Sequence, residues 1–427
     1  MTTQDPPRDK SEPEPRRKKG LVGKLFGRTA AFTSGNLVYL GGQFVFLWLV
    51  ARLGDPTLVG LYGLSTALLN PLFFFTRLGM RRAQASDAHS TFSFATYRRL
   101  RNVILAICVA IGVSFLFVLP SDFATAFVFL LILVAKLFEA QSDLYYGLAL
   151  QEQRQHVIGV SLVARAASSV LLYLFFYFVL RDPMYAMIGM PIGWLAIYFL
   201  YDKRQARPRI DEAVGPGPAW PIVWALFVNL WPLGVAAMLG QLQQSVPRIL
   251  VAGGESVDVL GAIVPALQIH MMVGVLAQSV AQSLLPGLAG EMQGGGRAAA
   301  KRRLLIGIFV ALPVLLASIP ICFFYGTPLI HLVFGGGYEL SGAFLGLAAI
   351  SWSLRYVAAL LQNTAVSARK FGTVLRDQLL ATLGYVAISI GGYVMFGLAG
   401  VFYALIAGNA LQLLISLWTS RRLIRMI

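Results

Sequence analysis

Residues 131–155 read LILVAKLFEAQSDLYYGLALQEQRQ, an apolar run that acquires three charged side chains before it ends. Lys136, Glu139 and Asp143 are spaced i, i+3 and i+7, so on a helix all three project from one face. The opposite face is apolar enough to contact lipid. Because charged groups at membrane depth are costly unless they are paired or hydrated, we predict a membrane helix whose charged face points into a helix bundle or an aqueous cavity.

The composition of the whole chain agrees with a membrane location. Of 427 residues, 57% are hydrophobic and only 13% are charged, and the mean hydropathy is +0.70, which excludes an ordinary soluble domain. The net charge of +16 lies in short basic blocks between apolar runs, a pattern typical of loops that face an anionic leaflet. We therefore predict an integral membrane protein that contacts membrane lipids and has no nucleic-acid partner.

Twelve apolar segments are each long enough to cross the hydrocarbon, which takes about 20 residues. The predicted spans are 29–51, 57–79, 102–120, 123–149, 157–180, 184–201, 221–245, 257–285, 303–325, 340–364, 375–396 and 399–419. The fold class that follows is all-α, with twelve transmembrane helices.

The distribution of basic residues predicts the orientation of these spans. With both termini in the cytosol, only Arg52, Arg181 and Arg248 of the 35 Lys and Arg residues fall in outside loops. Lys136, Arg165 and Arg355 fall within spans, and the rest lie on the inside, as the positive-inside rule requires.

Four regions follow from the polar breaks in the sequence. Residues 1–20 have too little apolar character for a signal peptide and are predicted to form a disordered basic tail in the cytosol. Residues 21–202 form an N-terminal lobe of six helices, and 220–427 form a second lobe of six. The charged and Gly/Pro-rich segment 203–219 is the cytosolic linker between them.

Arginines and amides within the spans or, like Arg248, near the end of one are the candidate binding residues. Arg77, Arg165, Arg248 and Arg355 are predicted to line a cavity, because the planar guanidinium makes paired hydrogen bonds to phosphate oxygens. Asn36 and Gln43 lie seven residues apart on one face of the first span and are further candidates. Neutral amides also join helices to one another, so a packing role is the alternative.

The charged cluster of Lys136, Glu139 and Asp143 has two interpretations. It either neutralises Arg165 of the next span as a structural ion cluster, or takes part in substrate contact or gating. Both apply if the cluster breaks and re-forms during a conformational cycle.

Three stretches, residues 28–87, 136–166 and 231–267, resemble the Wzx-type polysaccharide flippases, also called oligosaccharide, O-antigen or RfbX-like flippases. These proteins are members of the multidrug/oligosaccharidyl-lipid/polysaccharide exporter superfamily. The most specific part of the resemblance is SDLYYGLALQ at 142–151, followed by VSLVARA at 160–166.

The resemblance implies two pseudo-symmetric six-helix lobes around a central cavity. It also implies transfer of an undecaprenyl-pyrophosphate-linked oligosaccharide from the cytosolic to the periplasmic leaflet by alternating access, for polysaccharide or lipopolysaccharide biosynthesis. The protein would be a monomer in the cell inner membrane, with polysaccharide polymerase and chain-length machinery as partners. Neither a cofactor nor a metal is implied, and the chain would not be an enzyme.

The sequence disfavours two alternative functions. A cation-coupled multidrug antiporter of the same superfamily usually needs carboxylates in its first or seventh span, and the apolar parts of these spans contain no Asp or Glu here. A membrane polysaccharide polymerase or ligase would be expected to carry clustered Arg and His on a large external loop, whereas the longest outside loop has His331 alone.

Overall fold

The computed structural model describes residues 16–86, 92–119, 122–152, 154–205, 219–293, 296–338, 340–368 and 370–426. The tail predicted for residues 1–20 lies outside these residues, except for its last five positions, where the first helix begins. Residues 206–218 of the predicted linker also lie outside them.

The described chain is helical throughout. The N-terminal half contains α1 Arg16–Leu53, α2 Pro56–Arg77, α3 Met80–Ser86, α4 Phe94–Ser114, α5 Phe123–Gln151, α6 Gln155–Leu180, α7 Pro183–Ala186, α8 Gly189–Ile197 and α9 Lys203–Gln205. The C-terminal half contains α10 Trp220–Gly254, α11 Val257–Gln293, α12 Arg297–Phe334, α13 Gly342–Ser367 and α14 Phe371–Met426.

Local sequence explains where several helices begin. Asp55 accepts a hydrogen bond from the Leu58 amide at 2.8 Å and precedes Pro56 at the first position of α2. Asp122 caps α5 in the same way, accepting from the Thr125 amide at 2.9 Å. Each of these two helix starts is thus fixed by a carboxylate cap.

Eleven helices are long and apolar enough to cross a membrane among the described residues, and the last of these covers two predicted spans. α14 is interrupted at Gly397, whose φ of 57° and ψ of −136° are not helical. The two arms fold back on each other, since a Cβ built on Gly392 would lie 2.8 Å from the Gly400 carbonyl oxygen. Counting both arms gives the twelve predicted crossings.

Helices of each half pack mainly among themselves, and α2 carries much of the contact between the halves. It lies against both α10 and α11 of the second half. Glycines permit this close approach: a Cβ on Gly60 would lie 2.1 Å from the Val257 carbonyl oxygen, and one on Gly63 would lie 2.4 Å from a Val264 methyl. The sequence therefore places glycines on α2 where this helix joins the two lobes.

A second set of contacts between the lobes lies at the end of the bundle that carries the turn at residues 54–55. Trp48 Nε1 donates to the Val333 carbonyl at 2.6 Å, and Arg52 Nε donates to the same oxygen at 3.0 Å. Tyr338 Oη donates to the Ala51 carbonyl at 3.2 Å. Arg52 Nη2 also donates to the Leu332 carbonyl. We call these four hydrogen bonds the 54–55 latch. They join the end of α1 to the end of α12, so the lobes are closed at this end of the bundle.

Candidate functional site

The charged face of α5 forms the predicted cluster, although its partners extend beyond α5. Lys136 Nζ lies 2.8 Å from Glu139 Oε2, one helical turn away. Arg77 of α2 lies 3.0 Å from the other carboxylate oxygen of Glu139, and Tyr39 of α1 donates to that oxygen at 3.3 Å. Glu139 therefore connects three helices, and two cations share its charge.

Asp143, one turn further along α5, is paired with two arginines. Arg101 Nη2 lies 3.1 Å from Asp143 Oδ2, and Arg81 donates to Oδ1. The Arg101 side chain is completely buried and also donates to Thr76 Oγ1 at 3.2 Å. Asp143 of α5 thus contacts α3 and α4 directly, and it is connected to α2 through Arg101.

Arg165 lies in the interior. The structural interpretation of the cluster predicts that it pairs with the α5 carboxylates, but it does not pair with them. Its Nη2 lies 3.3 Å from Asp202 Oδ2, and both side chains are only 1% exposed. Arg165 also donates to Ser142 and to the Phe138 carbonyl at 3.2 Å. The partner is Asp202, which the predicted boundaries placed at the last residue of the N-terminal lobe.

Asp202 was missed because the sixth apolar run was expected to end at residue 201. In the structure a π-helical turn at Tyr198–Asp202 extends the helical path, and Asp202 is buried. The signal in the sequence was an acid directly after the sixth apolar run. The packing of α5, α6 and α8 on one another, which lets this acid reach Arg165, is visible only in the structure.

In the N-terminal lobe, then, the intramembrane arginines and Lys136 all have a carboxylate partner. Five cations share three acids, which leaves the lobe slightly positive but pairs each charge. The paired cations are Arg77, Arg81, Arg101, Lys136 and Arg165.

The C-terminal lobe differs in this respect. Arg248 is 4% exposed and donates to Gln268 Oε1 at 3.3 Å, with no carboxylate partner among the described residues. Arg355 has neither a hydrogen bond nor an ion pair within the described part of the chain. The sequence placed Arg248 in an outside loop, which is wrong, because α10 continues to Gly254 and keeps this arginine inside the bundle.

Both arginines line one pocket between α10, α11, α13 and α14. Its other polar walls are the side chains of Gln243, Gln244, His270, Tyr385 and Asn409. All eleven lining residues are described, and none is an aspartate or a glutamate. We call this the arginine cavity.

A second pocket adjoins the first and shares Gln243 and Arg355 with it. It is lined by three more glutamines, Gln362, Gln378 and Gln412, and by small residues of α10, α11 and α13. We call this the amide cavity. Arg355 thus stands on the boundary between two polar chambers.

The remaining predicted residues lie elsewhere. Asn36 and Gln43 are half-buried on α1, beside Gly35 and Gly42, which approach Gly159 and Ala166 of α6. The Gln43 Nε2 atom is buried and has no hydrogen-bond partner among the described residues. The structure therefore brings Arg248 and Arg355 together, and brings Arg77 to the α5 cluster, while Arg165, Asn36 and Gln43 lie outside both cavities.

A metal cation in either cavity would lack a full set of its usual carboxylate, imidazole or thiolate ligands. Across the described residues, no three His, Cys, Asp or Glu side chains are grouped so that they could hold a metal ion. The arginine cavity instead presents two guanidinium groups and several amides, which are donors suited to an anion.

Comparison with known proteins places this geometry in a recognisable fold. No family model matches the chain. The capsular polysaccharide biosynthesis protein CapF of Staphylococcus aureus is 23% identical over 371 residues, which is 81% of this chain and 91% of that protein.

Solved structures of two kinds are similar to the whole chain. The lipid II flippase MurJ, in an inward closed conformation, matches with a TM-score of 0.71 and 13% identity over 93% of this chain and 87% of that one. The eukaryotic MATE transporter AtDTX14 matches with a TM-score of 0.64 and 11% identity, covering 94% and 98%. A mutant of the Vibrio cholerae MATE transporter VcmN matches with a TM-score of 0.61 and 16% identity, covering 96% and 98%.

These similarities confirm the predicted fold class, an all-α membrane protein of two six-helix lobes around a central cavity. They also confirm the resemblance to the multidrug/oligosaccharidyl-lipid/polysaccharide exporter superfamily. The proteins that this chain is similar to are a polysaccharide biosynthesis protein, transporters and a flippase, in agreement with the prediction that the chain is not an enzyme.

Proposed function

We propose that this protein moves an undecaprenyl-pyrophosphate-linked oligosaccharide from the cytosolic to the periplasmic leaflet, for polysaccharide or lipopolysaccharide biosynthesis. The similarity to a capsular polysaccharide biosynthesis protein supports the pathway, and the similarity to a lipid II flippase supports a lipid-linked cargo. The protein acts as a multi-pass monomer of the inner membrane with both termini in the cytosol. Polysaccharide polymerase and chain-length machinery are the partners that would receive its product.

One observation carries the proposal: Arg248 and Arg355 line the same cavity without a carboxylate beside them. A buried arginine is costly unless its charge is neutralised, and every intramembrane arginine of the N-terminal lobe described above has an acid partner. Two uncompensated arginines in one cavity favour an anionic cargo, whose phosphates supply the missing charge. A pyrophosphate meets this need, because each planar guanidinium forms two parallel hydrogen bonds to phosphate oxygens.

The same observation distinguishes the cargo from a cationic drug. A cation in the arginine cavity would face two positive charges and no negative one among its lining residues. The carboxylates expected of a drug antiporter in the first and seventh spans are also missing from the described side chains of α1 and α10. A drug antiporter is therefore not the function that this cavity favours.

The other predicted residues receive roles within this cycle. Arg77, whose side chain is 27% exposed, is the head-group contact of the N-terminal lobe, next to the Lys136, Glu139 and Asp143 gating cluster. Asn36 and Gln43 contact the glycan from α1. Arg165 is committed to Asp202 in this conformation, so it reaches a head group only after that ion pair opens.

Alternating access requires that the 54–55 latch open while the opposite end of the bundle closes. The positive-inside pattern assigns the 54–55 end to the outside, which makes the described conformation closed toward the periplasm. The latch consists of four hydrogen bonds, and no ion pair joins its residues within the described part of the chain, so it can open without separating buried charges.

Deletion of the gene in its own host tests the proposal. We expect loss of a surface polysaccharide together with accumulation of its lipid-linked precursor, both restored by the wild-type gene. Arg248→Glu or Arg355→Glu should not restore export, because an acid in the cavity repels pyrophosphate, although the protein still inserts. Normal surface polysaccharide in the deletion strain, with raised sensitivity to cationic drugs, would contradict the proposal.

A further inference from the structure

The amide cavity contains a set of polar groups that pyrophosphate binding does not use. Four glutamines from three helices surround it, namely Gln243 of α10, Gln362 of α13, and Gln378 and Gln412 of α14. The nine lining residues include no acid, no aromatic residue and one cation, Arg355 at its border with the arginine cavity. Apart from Arg355, which it shares with the arginine cavity, the polar lining therefore consists of uncharged amides.

Several of these amide groups are unsatisfied in the described structure. Gln243 Nε2 donates to Gln412 Oε1 at 3.3 Å, and Gln378 Nε2 donates to Thr382 at 3.4 Å. Gln412 is 7% exposed, and its Nε2 is buried without a hydrogen-bond partner. Gln362 has no partner among the described residues. Because buried polar groups are normally paired, both donors and acceptors remain available to a ligand.

Small residues keep the cavity open beside these amides. A Cβ built on Gly274 would lie 2.7 Å from Arg355 Nε, and one on Gly240 would lie 3.8 Å from Gln378 Nε2. A side chain at either position would approach the polar walls, and alanines occupy positions 358 and 359.

We infer that the amide cavity binds a neutral, hydroxyl-rich sugar residue of the lipid-linked cargo, next to a pyrophosphate held by Arg248 and Arg355. This inference rests on the proposed function. A hydroxyl group both donates and accepts a hydrogen bond, and so does a primary amide, so the two are matched without any charge. Since Arg355 and Gln243 line both cavities, the sugar bound here is the one attached to the pyrophosphate.

Binding of two probe lipids to the purified full-length protein tests the inference. One probe is undecaprenyl diphosphate, and the other is the same lipid carrying one neutral hexose. Two additional hydrogen bonds predict that the hexose lowers the dissociation constant about thirtyfold, equivalent to about 2 kcal/mol. Gln362→Leu should remove much of this gain without changing the affinity for the sugar-free lipid. Gln412→Leu is a second variant, and a thermal melt confirms that each is folded.

Gln141→Leu is the matched control, because Gln141 is a half-buried glutamine of α5 whose amide donates to Asn102, away from both cavities. It should retain the full gain from the hexose. Equal affinity of the wild-type protein for the two lipids, or an undiminished gain in both folded glutamine variants, would overturn the sugar site alone. Failure of the sugar-free lipid to bind, or binding unaffected by Arg355→Gln, would overturn the proposed pyrophosphate contact as well.

Discussion

Replacing Asp202 with alanine should destabilise the protein strongly. Replacing both Asp202 and Arg165, so that neither charge remains, should destabilise it much less. The two side chains are each 1% exposed and lie 3.3 Å apart, so Asp202→Ala leaves a guanidinium in the interior with Ser142 and a backbone carbonyl as its acceptors. Breaking a buried ion pair in this way costs about 3–5 kcal/mol. The remaining neutral acceptors place the expected loss near the lower end, at about 3 kcal/mol.

Arg165→Met/Asp202→Ala removes both charges, and the loss of unfolding free energy should then fall to about 1 kcal/mol, because a buried pair replaced by apolar groups is often nearly neutral. Denaturant titration in detergent micelles measures both values. Glu152→Ala is the control: its pair with Arg154 is longer, at 3.5 Å, and more exposed, so its removal should cost less than about 1 kcal/mol.

The reasoning fails if Asp202→Ala costs less than about 1 kcal/mol, or if the double variant is as unstable as the single one. An export assay distinguishes the two roles of Arg165, which are the buried ion pair and the contact with the head group. As a head-group contact it is required even when stability is recovered, so the double variant should remain defective in export. Recovery of both stability and export would limit Arg165 to bracing the fifth and sixth spans.

Two further predictions concern the other charged contacts. Asp143→Asn should lower the unfolding free energy by about 3 kcal/mol, because Arg101 is completely buried and loses its charged partner; a denaturant titration that matches wild type would contradict this. Arg52→Ala removes two of the four latch hydrogen bonds and should lengthen the distance between spin labels at the exposed residues Val118 and Tyr325. An unchanged distance distribution would show that the latch does not hold the lobes closed.

Much of the fold was predictable because hydrocarbon thickness acts on the sequence directly. Apolar length gave the twelve crossings, and the break at Gly397 within α14 falls between predicted spans eleven and twelve. The Lys136 and Glu139 pair was also accessible, since spacing along one helix places the two side chains together. These features depend on local sequence alone.

The partners that lie on other helices were not predictable in the same way. Arg101 was assigned to the cytosolic side of the third span, but α4 begins at Phe94 and buries this arginine against Asp143. Arg248 was placed in an outside loop because its span was ended at residue 245, nine residues before the helix ends. The packing of the helices decides which arginines have a carboxylate partner. It therefore also decides that the arginine cavity has no acid among its lining residues.

Transfer of a labelled lipid in proteoliposomes tests the central claim most directly. Undecaprenyl diphosphate bearing a fluorescent sugar is placed in both leaflets, and a membrane-impermeant reductant bleaches the outer leaflet, with and without proton or Na⁺ gradients. With the wild-type protein, the inner-leaflet pool should also be bleached as the lipid crosses. Arg248→Gln/Arg355→Gln should slow this at least about tenfold, since charge-assisted hydrogen bonds contribute about 1.5–3 kcal/mol each. An inner pool that stays protected with wild-type protein, or equal rates in the double variant, would contradict the account.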